Sequence, residues 1–142
     1  MENRVYLAAP YSLKPLMEQY ARELKEDDIN VVSSWLEEPH PPDIQLWEVP
    51  AETHRQYAVR DIEDIHNSDA MVFFVDQTRS LVRGGRHVEF GIALESNIPI
   101  FVVGDFENMF HYLPQIEHFS NWELAKNALT SYLSLKEKEC LF

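Results

Sequence analysis

Ala70-Met71-Val72-Phe73-Phe74-Val75 is an unbroken apolar run, closed by Asp69 on one side and Asp76 on the other. A short continuous run rich in β-branched and aromatic side chains predicts a strand buried on both faces, as the strands of a parallel sheet are. Three more such runs stand at residues 5–9, 29–32 and 98–103. Helix-like stretches separate them. Residues 13–25 follow a Pro-Tyr-Ser turn, with Ser12 as the expected N-cap. Residues 51–66 place Tyr57, Ile62 and Ile65 at helical spacings, with Ile62 and Ile65 marking the buried side. Residues 85–96 are expected to carry Val88, Ile92 and Glu95 on one side, and residues 121–136 close the chain. A short fifth strand is expected within 116–119. The order β-α-β-α-β-α-β-loop-α predicts an α/β fold: a doubly wound, mostly parallel five-stranded sheet with right-handed crossovers, a flavodoxin-like three-layer sandwich.

At 142 residues the chain is read as one domain over 1–142, long enough to hide about 70% of its unfolded surface. No stretch reaches the ~20 apolar residues of a membrane span. The opening MENRVYLAAPYS lacks the pattern of a signal peptide. Cys140 is the only cysteine, so no intramolecular disulfide forms, which fits a reducing, cytoplasmic setting. A net charge of −12 repels a phosphate backbone and argues against a nucleic-acid polymer as partner. The six histidines show no HExxH or paired-ligand spacing, so no metal is expected.

In such sheets ligands sit beyond the carboxyl ends of the strands. Asp76 occupies one of those positions, as a catalytic group or as a turn residue. Residues 35–50 hold four prolines and two tryptophans, too Pro-rich for a helix. They read as a functional lid or as a surface crossover whose tryptophans pack on the body. The most informative stretch for chemistry is Arg83-Gly84-Gly85-Arg86-His87-Val88-Glu89-Phe90-Gly91. Gly84 and Gly85 let backbone approach a ligand and open a helix. Glu89 then falls in about the first turn, where the helix field favours an ionised carboxylate able to attack a sugar carbon; the plainer reading is a solvated glutamate. No GxGxxG or P-loop is present. His87 is two residues from Glu89 and does not face it. Asp61 and Asp64 lie one turn apart, and one of them flanks a pocket on this reading.

These stations in this order resemble the nucleoside 2-deoxyribosyltransferase family and its relatives, the 2'-deoxynucleoside 5'-monophosphate N-hydrolases, over residues 5–112. Val5-Tyr6-Leu7-Ala8-Ala9-Pro10 looks like the family's first strand and turn. Asp61, followed by Ile62, Ile65, Ser68 and Asp69, looks like the helix that supplies a catalytic aspartate. Gly85 through Glu89 to Gly91 and Ala93 looks like the nucleophile motif. Asn108-Met109 looks like the segment that completes a neighbouring subunit's site. The resemblance implies a retaining double displacement on Glu89, with Tyr6 positioning it and Asp61 or Asp76 orienting the sugar or handling the proton. Gly85, Arg83, Asn108 and Met109 would contact substrate. It implies a small-molecule nucleoside and free base as partners, no cofactor, and a homo-oligomer with a shared active site, for which the aromatic segment 106–112 offers an interface. Transferases often carry an acid shortly before the nucleophile; Leu81-Val82-Arg83 has none, and Asp76 is the candidate substitute. Arg79, Arg83 and Arg86 read either as a 5'-phosphate clamp, favouring the hydrolase, or as neutralisers of an acidic surface. A non-catalytic nucleotide-binding module is the reading from outside enzymology.

Overall fold

The computed structural model describes residues 2–75 and 84–140. Asp76, Arg79 and the Leu81-Val82-Arg83 stretch lie outside the described residues.

The apolar runs become the strands β1 (Asn3–Ala8), β2 (Ile29–Val31), β3 (Ala70–Phe74) and β4 (Ile100–Val103). The expected short fifth strand is β5 (Glu117–Phe119). Their order is β2-β1-β3-β4-β5 and every pairing is parallel. Burial follows from that order: β1 and β3 have neighbours on both edges, and Val5 through Ala8 and Ala70 through Phe73 are fully buried. The helices are α1 (Lys14–Glu26), α2 (Ala51–His66), α3 (Gly85–Glu95) and α4 (Trp122–Cys140). α1 and α4 pack together, with Tyr20 stacked on Trp122 at 4.4 Å between ring centroids and Lys126 bonded to Glu23 at 3.2 Å. α2 and α3 pair with each other instead. Helices on both faces complete the doubly wound three-layer sandwich. No described helix is long and apolar enough to cross a membrane.

Three local expectations fail for identifiable reasons. Ser12 does not cap α1: it lies inside a 3-10 turn, Tyr11–Leu13, and Leu13 occupies the N-cap without a side-chain bond. Pro15 in the first turn, with φ set for a helix, starts α1 instead. Ile62 is 41% exposed, whereas Ile65 is buried. The inward stripe of α2 runs through Tyr57, Asp61, Asp64 and Ile65; Tyr57 and Asp61 border a cavity, and Asp64 bonds the Ser34 backbone. On α3 the inward residues are Arg86, Phe90 and Ala93; Val88 is 65% exposed and Glu95 faces solvent.

The registers Ala8↔Phe73 and Phe74↔Val103 bring the carboxyl ends of the three central strands level. The chain goes from β1 to β2 on one side, then to β3 on the other. A crevice opens at that reversal, as in other doubly wound sheets.

Candidate active site

Residues just past β1 and β2 (Ala9, Pro10, Trp35), the inward face of α2 and the start of α3 line a cavity of about 440 Å³. Tyr6 and Glu89 meet beneath it. Tyr6 is fully buried on β1, and its hydroxyl donates a hydrogen bond to Oε2 of Glu89. Burial raises the Tyr6 pKa, and the nearby Glu89 and Asp61 carboxylates raise it further. The phenol therefore remains a proton donor.

Glu89 reaches this point through a backbone device. Gly84 precedes α3 with φ +83°, a left-handed conformation that L side chains rarely adopt, and Gly85 begins the helix. A Cβ at either position would meet nothing within 4 Å. The backbone is thus open to the cavity that Gly85 lines. Helix counting from Gly85 puts Glu89 past the first turn, which holds no acid. The expectation that the N-terminal field keeps Glu89 ionised is corrected accordingly. Burial dominates and pushes its pKa up to about 8; the Tyr6 hydrogen bond opposes this, and Asp61 and Glu38 add to it.

Asp61 lines the same cavity from α2, and burial is the main cause that pushes its pKa up to about 6. Arg60 opposes the shift; Glu38 and Asp64 reinforce it. The choice between the two aspartates resolves geometrically. Asp64 accepts the backbone N–H of Ser34 at 3.0 Å, holding the turn after β2, while Asp61 faces the pocket.

The segment 35–50 supplies the rest of the wall, including Glu38, His40, Ile44 and Leu46. Trp35 anchors it, buried, with its indole N–H donating to the Leu7 carbonyl at 2.9 Å. His40 Nε2 lies 3.1 Å from the Tyr57 hydroxyl, and Tyr11 donates to the His40 carbonyl at 3.1 Å. Trp47 does not pack on the body: it is 80% exposed. Sequence reasoning flagged this segment but named neither Glu38 nor His40 as a site residue, nor Arg60 of α2, and it took Tyr57 only as a marker of helical spacing. The available signal was an arginine beside the catalytic candidate, Arg60-Asp61.

Arg86 departs from the phosphate-clamp reading. It is buried, pairs with both Glu107 oxygens at 2.6 and 2.7 Å, and lies over the Phe73 ring at 5.2 Å. Its charge is committed inside the protein. His87 faces Phe73 and Glu107 rather than Glu89. Asn108 caps the turn Met109–Tyr112 by accepting the Phe110 N–H at 2.9 Å, and Met109 projects outward. Neither lines the cavity of its own chain. Among the described residues no group of three or more His, Cys, Asp or Glu is placed to hold a metal ion.

The described residues thus form an α/β protein with a parallel sheet, a tyrosine-bound carboxylate and a second acid gathered in the crevice beyond β1. The model of the nucleoside 2-deoxyribosyltransferase family matches residues 5–131, and the chain belongs to that family. It is similar in fold to the 2-deoxyribosyltransferase of Bacillus psychrosaccharolyticus, at 19% identity over 87% of this chain and 90% of that one, with a TM-score of 0.63. It is also similar to the CMP N-glycosidase of Clostridium botulinum, at 18% identity over 92% of this chain and 98% of that one, with a TM-score of 0.56. A search of curated proteins finds no match.

Proposed function

We propose that this chain is a nucleoside 2-deoxyribosyltransferase working through a glycosyl ester on Glu89. The observation that carries this reading is the Tyr6 hydroxyl bonded to a half-buried Glu89 at the cavity, with Asp61 in the same wall. The Glu89 carboxylate attacks C1' of a 2'-deoxynucleoside as the C1'–N bond breaks through an oxocarbenium-like state, and the base leaves carrying a proton. Asp61 orients the sugar or passes that proton. A ring nitrogen of a second base then attacks C1' and gives up its proton, by the same route in reverse, as the ester bond breaks and the Glu89 carboxylate is restored with net retention. Water in place of the second base gives hydrolysis.

The described wall holds Glu38, Asp61 and Glu89, while its arginine, Arg86, is already neutralised by Glu107. Such a wall favours an uncharged nucleoside over a 5'-phosphate. The second reading, a 2'-deoxynucleoside 5'-monophosphate N-hydrolase, rests on Arg79 and Arg83 just before Gly84 in the sequence. Incubation of deoxyadenosine or deoxyinosine with cytosine, beside a deoxynucleotide, separates the two. Deoxycytidine is the expected product. Deoxyribose phosphate from the nucleotide alone, with no exchanged nucleoside, rejects transfer.

The reacting form has Glu89 deprotonated, so kcat/KM rises with pH through the Glu89 ionisation, near pH 8 in the free enzyme. Tyr6 lowers the Glu89 pKa by its hydrogen bond. Tyr6→Phe therefore moves the rising limb to higher pH and reduces kcat/KM at pH 7 by about tenfold or more. A limb that stays in place in Tyr6→Phe separates this tyrosine from the nucleophile.

We also assign the exposed Phe106, Met109, Phe110 and Tyr112 to contact with a second copy, so that Asn108 and Met109 reach the partner's cavity. A monomeric mass at working concentration counts against this arrangement.

A further inference from the structure

We propose that Arg60 is a positioning residue for the reaction, bridging Glu38 of the segment after β2 to Asp61 of α2 and leaving one oxygen of Asp61 to meet the substrate. The proposal rests on the reading of Asp61 as a site residue.

Arg60 Nε and Nη2 both bond to Oδ1 of Asp61, at 3.1 and 2.8 Å. The same Nη2 reaches Oε2 of Glu38 at 2.5 Å. Both bonds from this guanidinium to Asp61 therefore fall on one oxygen, and Oδ2 is the atom left to meet a sugar hydroxyl. The guanidinium is itself held in place. Its carbon lies 4.5 Å from the centroid of the Tyr57 ring, and Tyr57 meets His40 through its hydroxyl. A planar fork over an aromatic ring and bonded at two nitrogens has few other orientations, which a flexible ammonium does not match.

The bridge also solves an electrostatic problem. Glu38, Asp61 and Glu89 all line one cavity, and Asp64 stands a turn from Asp61 on the same helix. From β1 the only titratable group facing them is Tyr6, which stays neutral. From the segment after β2 comes Glu38, and from α3 Glu89, both acids. Among the described residues Arg60 is the cation that opposes the upward shift of Asp61 and of Glu89, while Lys14 bonds the Glu38 carbonyl and the His40 ring meets Tyr57. The segment 35–50 is thus tied to the charge state of the site through one side chain. Displacing Glu38 with that segment would free Arg60 to act on Asp61 alone.

The two ends of the bridge make opposite predictions. Protein carrying carbon-13 at the aspartate side-chain carboxyl would be titrated by NMR, with Asp61→Asn identifying the Asp61 signal. Arg60→Met should raise the Asp61 midpoint by about one pH unit or more, and Arg60→Lys by less. Glu38→Gln should lower it, because a neighbouring negative charge is removed while Arg60 remains. In turnover, Arg60→Met should lower kcat by about 10- to 100-fold near pH 7 through loss of the fixed Asp61 orientation, and only the roughly twofold part set by the raised Asp61 midpoint should disappear as pH rises. A general loss of structure would not give shifts of opposite sign, and melting curves of each variant report folding directly. An unmoved Asp61 midpoint in Arg60→Met, or shifts of the same sign in Arg60→Met and Glu38→Gln, overturns the proposal. If the wild-type protein turns over no nucleoside or nucleotide, the functional reading fails, and the titrations still decide the bridge.

Discussion

Glu89→Gln should lower turnover at least about 10³-fold while making the protein more heat-stable at alkaline pH. The two halves of this result share one cause. The carboxylate sits half-buried in the wall of the cavity, held by Tyr6. That place suits a nucleophile kept away from bulk water, and it is a poor place for a resting negative charge. The ordinary glutamate value is 4.5 and the folded value about 8. The fold therefore prefers the protonated form: this group's contribution to stability is fully present below about pH 4.5 and is lost as pH rises through about 8. The loss is on the order of a few kcal/mol. Glutamine is neutral at every pH and accepts the Tyr6 hydrogen bond through its carbonyl oxygen. Its Tm should match the wild-type value near pH 4 and exceed it at pH 9 by about 5 °C or more. Glutamine also cannot form a glycosyl ester that turns over. Activity within tenfold of wild type would sink Glu89 as the nucleophile. A loss of turnover in Glu89→Gln also dismisses the non-catalytic module, which predicts function without this carboxylate.

Much of this arrangement is written locally in the chain, and the parts that are not share a physical reason. Four continuous apolar runs mark the strands because a parallel sheet is covered on both faces and leaves no polar alternation to read. Gly84-Gly85 marks the start of α3 because the entry to that helix needs a positive φ. Hydrophobic periodicity then misleads at the site itself. α2 turns Tyr57 and Asp61 toward a cavity and not a core, and Asp64 toward the backbone of the turn after β2. α3 likewise turns Arg86 inward while Val88 is left outside. The sequence suggested a helix field on Glu89, but Glu89 lies past the first turn, and its burial depends on β1, α2 and the segment after β2 arriving together. The Glu38–Arg60 and Arg86–Glu107 pairs each join residues about twenty positions apart, a distance at which a charge pattern does not identify partners.

Glu107→Gln is the substitution expected to damage the fold most, although Glu107 is not in the wall of the cavity. Its carboxylate, in the segment after β4, takes both Nη groups of Arg86, whose side chain is 4% exposed. Arg86 stands at the start of α3 with its guanidinium over Phe73 of β3, so the charge has been withdrawn from water into aromatic surroundings. Such a pair adds little net stability over a well-packed apolar pair, because the desolvation of both ions offsets their attraction. Removing one partner is different. The guanidinium stays buried, loses its counter-charge, and has no neutral form to retreat to. The expected cost is about 3–5 kcal/mol, or a fall in Tm on the order of 10 °C. Replacing both residues, as in Arg86→Leu with Glu107→Leu, should recover most of that loss, since neither ion is then stranded; the recovery is the signature of a buried pair and not of a general need for bulk at either position. Arg86 precedes Glu89 by less than one helical turn, so Glu107→Gln should also reduce turnover by loosening the start of α3. Urea unfolding of the two variants beside the wild-type protein measures this. A Glu107→Gln midpoint indistinguishable from wild type, or a double variant no more stable than the single one, would show that Arg86 finds another counter-charge and that the anchoring of α3 lies elsewhere.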